Sequence, residues 1–229
     1  MATRTRRPER RQEPLSAQRI VSAAVELLDT VGESGLTFRA LAEHLATGPG
    51  AIYWHVTGKT ELLAAATDAV VAAAVADGDT DATPQDTIRA LALGVFDAID
   101  AHPWAGAQLA RNSWQPPMLR VLERIGREVR ALEVPRPAQF TAVSALMSYI
   151  LGVAGQNAAN TQTLQPGTDR TAFLDAVAAT WAELDPDEYA FTRTIAGQLR
   201  EHDDRVEFLA GIDLILTGIT GITGITARR

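Results

Sequence analysis

The chain is expected to fold as an all-α protein with a small N-terminal and a larger C-terminal helical domain. Apolar residues recur at helical spacing almost everywhere, and the strict alternation of a strand is absent. A polar, breaker-rich stretch, DGDTDATP (77–84), separates a region of short helices from a region of long ones. With 229 residues, 46% of them hydrophobic, there is enough apolar surface for a real core.

Residues 1–14 are read as a disordered basic arm, because residues 4–11 carry five arginines against one glutamate. In the first helix Ile20, Val21, Ala24, Leu27, Leu28 and Val31 form one stripe. Ser16 is placed to cap it, with Leu15 and Ile20 as a hydrophobic staple. Gly32 and Gly35 end it. Thr37 repeats the cap, with Leu36 and Leu41 as staple, and opens a short second helix that ends near Leu45. ATGPG (46–50) is turn chemistry. A third short helix is expected over about 49–55. A fourth starts at Thr57 or Gly58, with Leu62, Leu63, Ala66, Val70 and Ala73 as its stripe. This first domain is assigned residues 15–76.

The second domain, 84–217, is expected to hold five or six longer helices. One carries Ile88, Leu91, Val95, Phe96 and Ile99; after a short segment near 104–111, another carries Leu119, Leu122, Ile125, Val129 and Leu132. A third covers about 138–160, and two more lie between Thr171 and Arg200. The last, about 205–217, reads RVEFLAGIDLILT and is apolar nearly all round, which a terminal helix can satisfy only against a partner. TGITGITGIT (217–226) places Gly at every third residue, so 218–229 is expected to be a flexible tail.

Several functions are disfavoured at this level. Without cysteine there are no disulfides, thiolate metal sites or Cys nucleophiles. Four scattered histidines (44, 55, 102 and 202) make no ligand spacing, and neither GxSxG nor HExxH occurs. GKT at 58–60 ends like a phosphate-binding loop, but Tyr53 occupies the required glycine position. The chain is therefore not expected to be an enzyme or to hold a metal or cofactor. No uninterrupted apolar run reaches the ~18–20 residues that cross a bilayer, and none follows the basic N-terminus. A cytoplasmic protein without membrane contact is expected. The net charge of −7 is unevenly spread. Residues 1–67 hold eight basic and seven acidic side chains, and the remainder holds thirteen and twenty-one.

The stretch GPGAIYWHVTGKTELL (48–63) concentrates the chemistry. Two short helices joined by a tight turn and buttressed on either side form a helix-turn-helix, whose second short helix enters the major groove. Gly-Pro-Gly at its start lets backbone approach backbone. Ile52 and Val56, four apart, take the inward side, so Tyr53 and His55 point outward, where phenol and imidazole can hydrogen-bond phosphate oxygens. Lys59 sits in the first turn of the next helix, where backbone N–H groups already favour anions.

TFRALAEHLATGPGAIYWHVTGKTELL resembles the DNA-binding segment of the TetR family of bacterial transcription regulators, over about Leu15 to Ala74. The carriers are Thr37 and Arg39, Leu41-Ala42, the turn, Ile52-Tyr53-x-His55-Val56, Lys59 and Leu62-Leu63. The spelling YWHV is most like the tetracycline repressors. The resemblance implies a homodimer that binds a short palindromic double-stranded DNA operator and is released by a small molecule. It implies that Arg39 contacts DNA from the first short helix, that residues 48–51 face the bases, and that Tyr53, His55 and Lys59 hold phosphates. The DNA-binding set is Thr37, Arg39, Gly48, Pro49, Gly50, Ala51, Tyr53, Trp54, His55 and Lys59. Ala46, Thr47 and Gly48 stand where the family usually has Gly, an aliphatic residue and Ser. Because Pro49, Gly50 and Ala51 offer no side-chain hydrogen bond, readout must fall to Arg39, thymine-methyl contacts from Ala51 and Pro49, or DNA shape.

Farther on, PQDTIRALA (84–92), SYILG (148–152) and EFLAGIDLILTGI (207–219) are similar to the fifth, eighth and last helices of the tetracycline-repressor branch. The resemblance implies a four-helix dimer bundle from the last two, with Leu209, Ile212 and Leu216 at the interface. It also implies a C-terminal ligand-binding pocket at Leu91, Val95, Leu109, Ile125, Ser148 and Gln156, to which Asn112, on the segment placed to close it, is added as a candidate polar group. Leu91, Leu109 and Ile125 can neither grip a tetracycline nor ligate its magnesium, so a largely hydrophobic inducer of unknown identity is expected. The rival expectation is a ligand-independent DNA-binding module whose C-terminal domain serves only dimerisation or partner recruitment.

Overall fold

A computed structural model describes residues 14–76, 81–111, 116–163 and 168–226. Among them are eleven α-helices, one 3-10 turn (Gln198–Glu201) and no strand. Compact packing divides the chain into two units at Ala66–Thr67, inside the fourth helix and ahead of the linker expected at 77–83. Residues 1–13 of the expected basic arm lie outside the described residues.

The first unit comprises α1 (Ala17–Gly35), α2 (Phe38–His44), α3 (Pro49–Tyr53) and the first half of α4 (Lys59–Ala74). Both expected caps form: the Arg19 N–H donates to Ser16 Oγ at 3.2 Å, and the Ala40 N–H donates to Thr37 Oγ1 at 3.0 Å. Ile20, Ala24 and Leu28 of α1 are buried, as are Leu41 of α2, Ile52 of α3 and Leu62 and Ala66 of α4. Gly32, at φ 68°, breaks α1 one turn before its end, and the Leu36 N–H closes the break by donating to Gly32 O.

Between α2 and α3 the chain turns through Ala46, a non-glycine residue at φ 51°. The Ala46 N–H donates to Glu43 O and the Thr47 N–H to Ala42 O, the two bonds of a Schellman motif. A Cβ in the left-handed region costs roughly 1–2 kcal/mol, and glycine's extra freedom in the unfolded chain returns part of that. Ala46→Gly is therefore expected to stabilise the unit by about 0.5–1 kcal/mol, measurable by denaturant titration.

The second unit holds the rest of α4, α5 (Pro84–Ala101), α6 (Pro103–Arg111), α7 (Pro116–Ala131), α8 (Arg136–Thr163), α9 (Arg170–Ala182), α10 (Ala190–Ile195) and α11 (Asp204–Thr226). Helix α8 packs on α5, α6, α7 and α11. Its Leu146, Ile150 and Ala154 share a buried core with Leu91, Val95 and Phe96 of α5, Ile125 of α7 and Phe208 of α11. Arg136–Thr161, with mean hydropathy 1.4, is long and apolar enough to cross a bilayer, although no uninterrupted apolar run within it is. One side of the helix is already committed to this core.

Two expectations for α11 are corrected. The helix continues through Thr226 instead of fraying at 218. Ile219 extends the buried stripe of Phe208, Ile212 and Leu216, so packing outweighs the poor helix propensity of the glycines. The hydroxyls of Thr217 and Thr220 fold back onto Asp213 O and Leu216 O. Ile212 and Leu216, expected at a dimer interface, are buried inside the chain's own core, and Leu209 is only half-exposed. Val206, Ala210, Leu214, Gly218 and Ile222 are exposed apolar positions at four-residue spacing, alongside the exposed Arg205, Glu207, Asp213 and Thr217. An almost uniformly apolar helix carries no polar face to reveal which side turns inward.

Candidate nucleic-acid interface

Most of the residues expected at the helix-turn-helix are exposed on the first unit. Tyr53 is 55% and Trp54 89% exposed, and His55, Thr37, Arg39, Gly48, Pro49 and Gly50 are also exposed. Ala51 is half-buried, while Ile52 and Val56 are buried beneath, as their spacing requires. Helix α3 is a single turn and a half, ending at Tyr53 where the sequence suggested His55; Trp54 and His55 follow it on a turn.

Gly48 and Gly50 are informative because the fold does not need them. Neither has a positive φ, and a Cβ on either would meet no atom within 4 Å. The start of α3 therefore presents bare backbone to solvent, with room for close approach from outside the unit.

The sequence reading missed Phe38, whose ring stacks on Tyr53 at 4.5 Å between centroids and 15° between planes. It orients the exposed Tyr53 phenol, and its signal was a large apolar residue immediately after the N-cap. Arg39 pairs with Glu43 at 3.2 Å, but its side chain is 88% exposed and the pair is weak enough to exchange for a DNA contact. Lys59 donates from Nζ to Glu33 O at 2.6 Å, tying α4 to the end of α1 while leaving other ammonium protons for an incoming oxygen. Next to it, the Thr57 hydroxyl and N–H both donate to the Glu61 carboxylate, which holds that carboxyl below the usual range.

In the second unit the described residues expected at the pocket divide between one core cluster and the surface. Leu91, Val95, Leu109 and Ile125 are closed into the core, Ser148 is exposed, and Asn112 lies outside the described residues. Gln156 lines a groove of about 370 Å³ between α8 and α11 with Tyr149, Asn157, His202, Asp204 and Phe208. A second groove of about 300 Å³ shares Asn157, His202 and Asp204 and adds Phe96 and Arg170. The walls are tied by an ion pair from Asp204 to Arg170 (2.5 Å), a hydrogen bond between Asp204 and His202 (3.1 Å), and by Asn157 donating to Asp100 (2.9 Å). Tyr149 donates to Phe208 O at 3.2 Å, and burial, then the Glu207 charge, raises its phenol further above neutrality.

An exposed recognition turn on a three-helix support, followed by an independent helical unit, defines a helix-turn-helix DNA-binding regulator. The family model for bacterial regulatory proteins of the TetR family matches residues 20–66. The solved transcriptional regulator SCO7222, a TetR from Streptomyces coelicolor, is 61% identical; the match covers 91% of this chain and 99% of that one, with TM-score 0.85. The chain belongs to the TetR family. An HTH-type transcriptional regulator of Saccharopolyspora erythraea is 34% identical over 150 residues, 64% of each chain, so under two thirds of that curated relative is spanned. The class C tetracycline repressor protein of Escherichia coli is 40% identical over 72 residues, 31% of each chain.

Proposed function

We propose that this TetR-family regulator is a homodimeric repressor that holds a palindromic operator in the cytoplasm and leaves it when a small molecule binds the second unit. The observation that carries the DNA part is the exposure of Tyr53, Trp54, His55 and Arg39 beside the bare backbone at the start of a short helix-turn-helix. Tyr53, His55 and Lys59 act as phosphate clamps, and Arg39, Pro49 and Ala51 meet the bases.

The dimer reading is supported by two unpartnered faces. On α11 it is the Val206–Ala210–Leu214–Gly218–Ile222 stripe; on α8 it is Thr141, Ala145, Ser148 and Gly152, all exposed. A two-fold packing of these faces would be isologous and would set two recognition helices about 34–36 Å apart, one turn of duplex.

For the ligand, the joined grooves beside Gln156 support an aromatic molecule with hydrogen-bonding groups, more polar than the sequence suggested. Their volumes fall in the range that encloses small ligands. The closed packing around Leu91 and Ile125 favours the rival, ligand-independent reading for that part of the core. The decisive test selects duplexes from a random pool and then screens metabolites for release. A palindrome released by a compound that no longer acts on Gln156→Ala is the expected result. A non-palindromic site, or release by tetracycline that requires magnesium, would overturn the reading.

Lys59→Ala is expected to weaken binding to all sequences and to lower the log–log salt slope by about 0.9, one phosphate's worth. His55→Ala and Tyr53→Phe should weaken binding regardless of sequence, whereas Arg39→Ala should change the preferred bases. Thermal unfolding is measured alongside, because Lys59 also ties α4 to α1. An unchanged salt dependence in Lys59→Ala would remove that residue from the clamp.

A further inference from the structure

A groove of about 600 Å³ runs between the second half of α4 and α7, apart from the grooves beside Gln156. Its apolar lining comes from Ala72 of α4, from Val75 just beyond its end, and from Leu119 of α7, a leucine left 47% exposed. Arg120, Arg124 and Arg127 line it as well. At i, i+4 and i+7 they share one face of α7. This concentration stands against the trend of the chain: α7 carries four of the thirteen basic residues beyond position 67, a region with twenty-one acidic ones.

The three arginines are not equivalent. Arg120 is held by both carboxylate oxygens of Asp68, at 3.2 and 3.1 Å. Arg124 is half-buried and reaches Ala76 O from Nη2 at 3.5 Å. Arg127 is exposed and makes no ion pair among the described residues, not even with Glu123 one turn away, the acidic residue in the lining. An apolar slot therefore ends at a guanidinium with its donors open to solvent and a second one beside it.

We propose that this groove is a binding site for a monomeric long-chain carboxylate. The alkyl chain would lie over Ala72, Val75 and Leu119, and the head group would sit at Arg127 and Arg124, where a planar guanidinium meets a carboxylate in matched geometry. Length fits as well: from Pro116 to Arg127 the helix rises about 16 Å, roughly the reach of a twelve-carbon chain. A cation would meet three arginines, and a neutral alcohol would leave the head-group end unused.

Isothermal titration of the full chain with dodecanoate, below its micelle concentration, tests this. Saturable one-to-one binding is expected, weakened about tenfold or more by Arg127→Gln and further by Arg124→Gln, Arg127→Gln together. Ala72→Trp should fill the slot and abolish binding, while Gln156→Ala should leave it unchanged. Dodecanol and hexanoate should bind more weakly than dodecanoate, the first for want of charge and the second for want of chain. Circular dichroism and thermal unfolding confirm that each variant is folded. Absence of binding would overturn the proposal. So would equal affinity for dodecanol, or binding that survives the double arginine variant and is lost in Gln156→Ala. That last result would place the carboxylate in the other groove without touching the repressor reading.

Discussion

Leu214→Asp is expected to give a folded monomer that no longer holds its operator. Leu214 is 76% exposed on α11 and points away from the chain's own core, so a carboxylate there costs the isolated protomer little. In the proposed four-helix interface the same carboxylate would be buried without a partner, a penalty of several kcal/mol counted on both symmetry-related sides. Sedimentation should show a monomer and circular dichroism full helicity. Operator affinity should fall by at least about a thousandfold, the lower end of the gap between specific and non-specific binding. Leu216→Asp provides the contrast: it places the charge among Phe208, Ile212 and Ile219 and should unfold the second unit. An intact dimer in Leu214→Asp would move the interface to another surface.

Gly94→Ala should strongly destabilise the second unit. An added Cβ would lie 2.3 Å from Ala74 O, a backbone atom at the end of α4 that cannot rotate aside as a side chain could. Relief requires the end of α4 to move away from α5 at Gly94, disturbing the core cluster that Val71, Val75, Ile88 and Leu91 share. Overpacking of this kind costs about 3 kcal/mol, at the upper end of the usual range. Gly126→Ala on α7 is the control. Its Cβ would find only Val143 at an ordinary 3.9 Å, so it should gain about 0.5–1 kcal/mol from helix propensity. Denaturant midpoints for the two variants should therefore move in opposite directions. Equal midpoints would mean that the α4–α5 contact is loose in solution.

The recognition turn was legible because its signals are local. Ser16 and Thr37 cap helices through bonds spanning three residues, and the Ile52–Val56 spacing alone turns Tyr53 and His55 outward. Phe38 was overlooked because its stacking on Tyr53 depends on how α2 crosses α3, which no spacing within either helix states. The Arg120–Asp68 pair, which holds one of three arginines and leaves Arg127 open, joins residues fifty-two apart.

The sequence by itself determined that the chain is helical, where its short helices start, and which residues of the turn face outward. These follow from periodicity, caps and breakers, whose energies act within one or two turns. Only the tertiary structure decided that α11 runs on through its glycines, that Ile212 and Leu216 turn inward while Leu214 turns outward, and that Gln156 lines an open groove while Leu91 does not. On a helix with apolar residues on every side, burial is favourable in every rotation. The face that wins is the one for which Phe96, Tyr149 and Ile150, on helices distant in sequence, leave room.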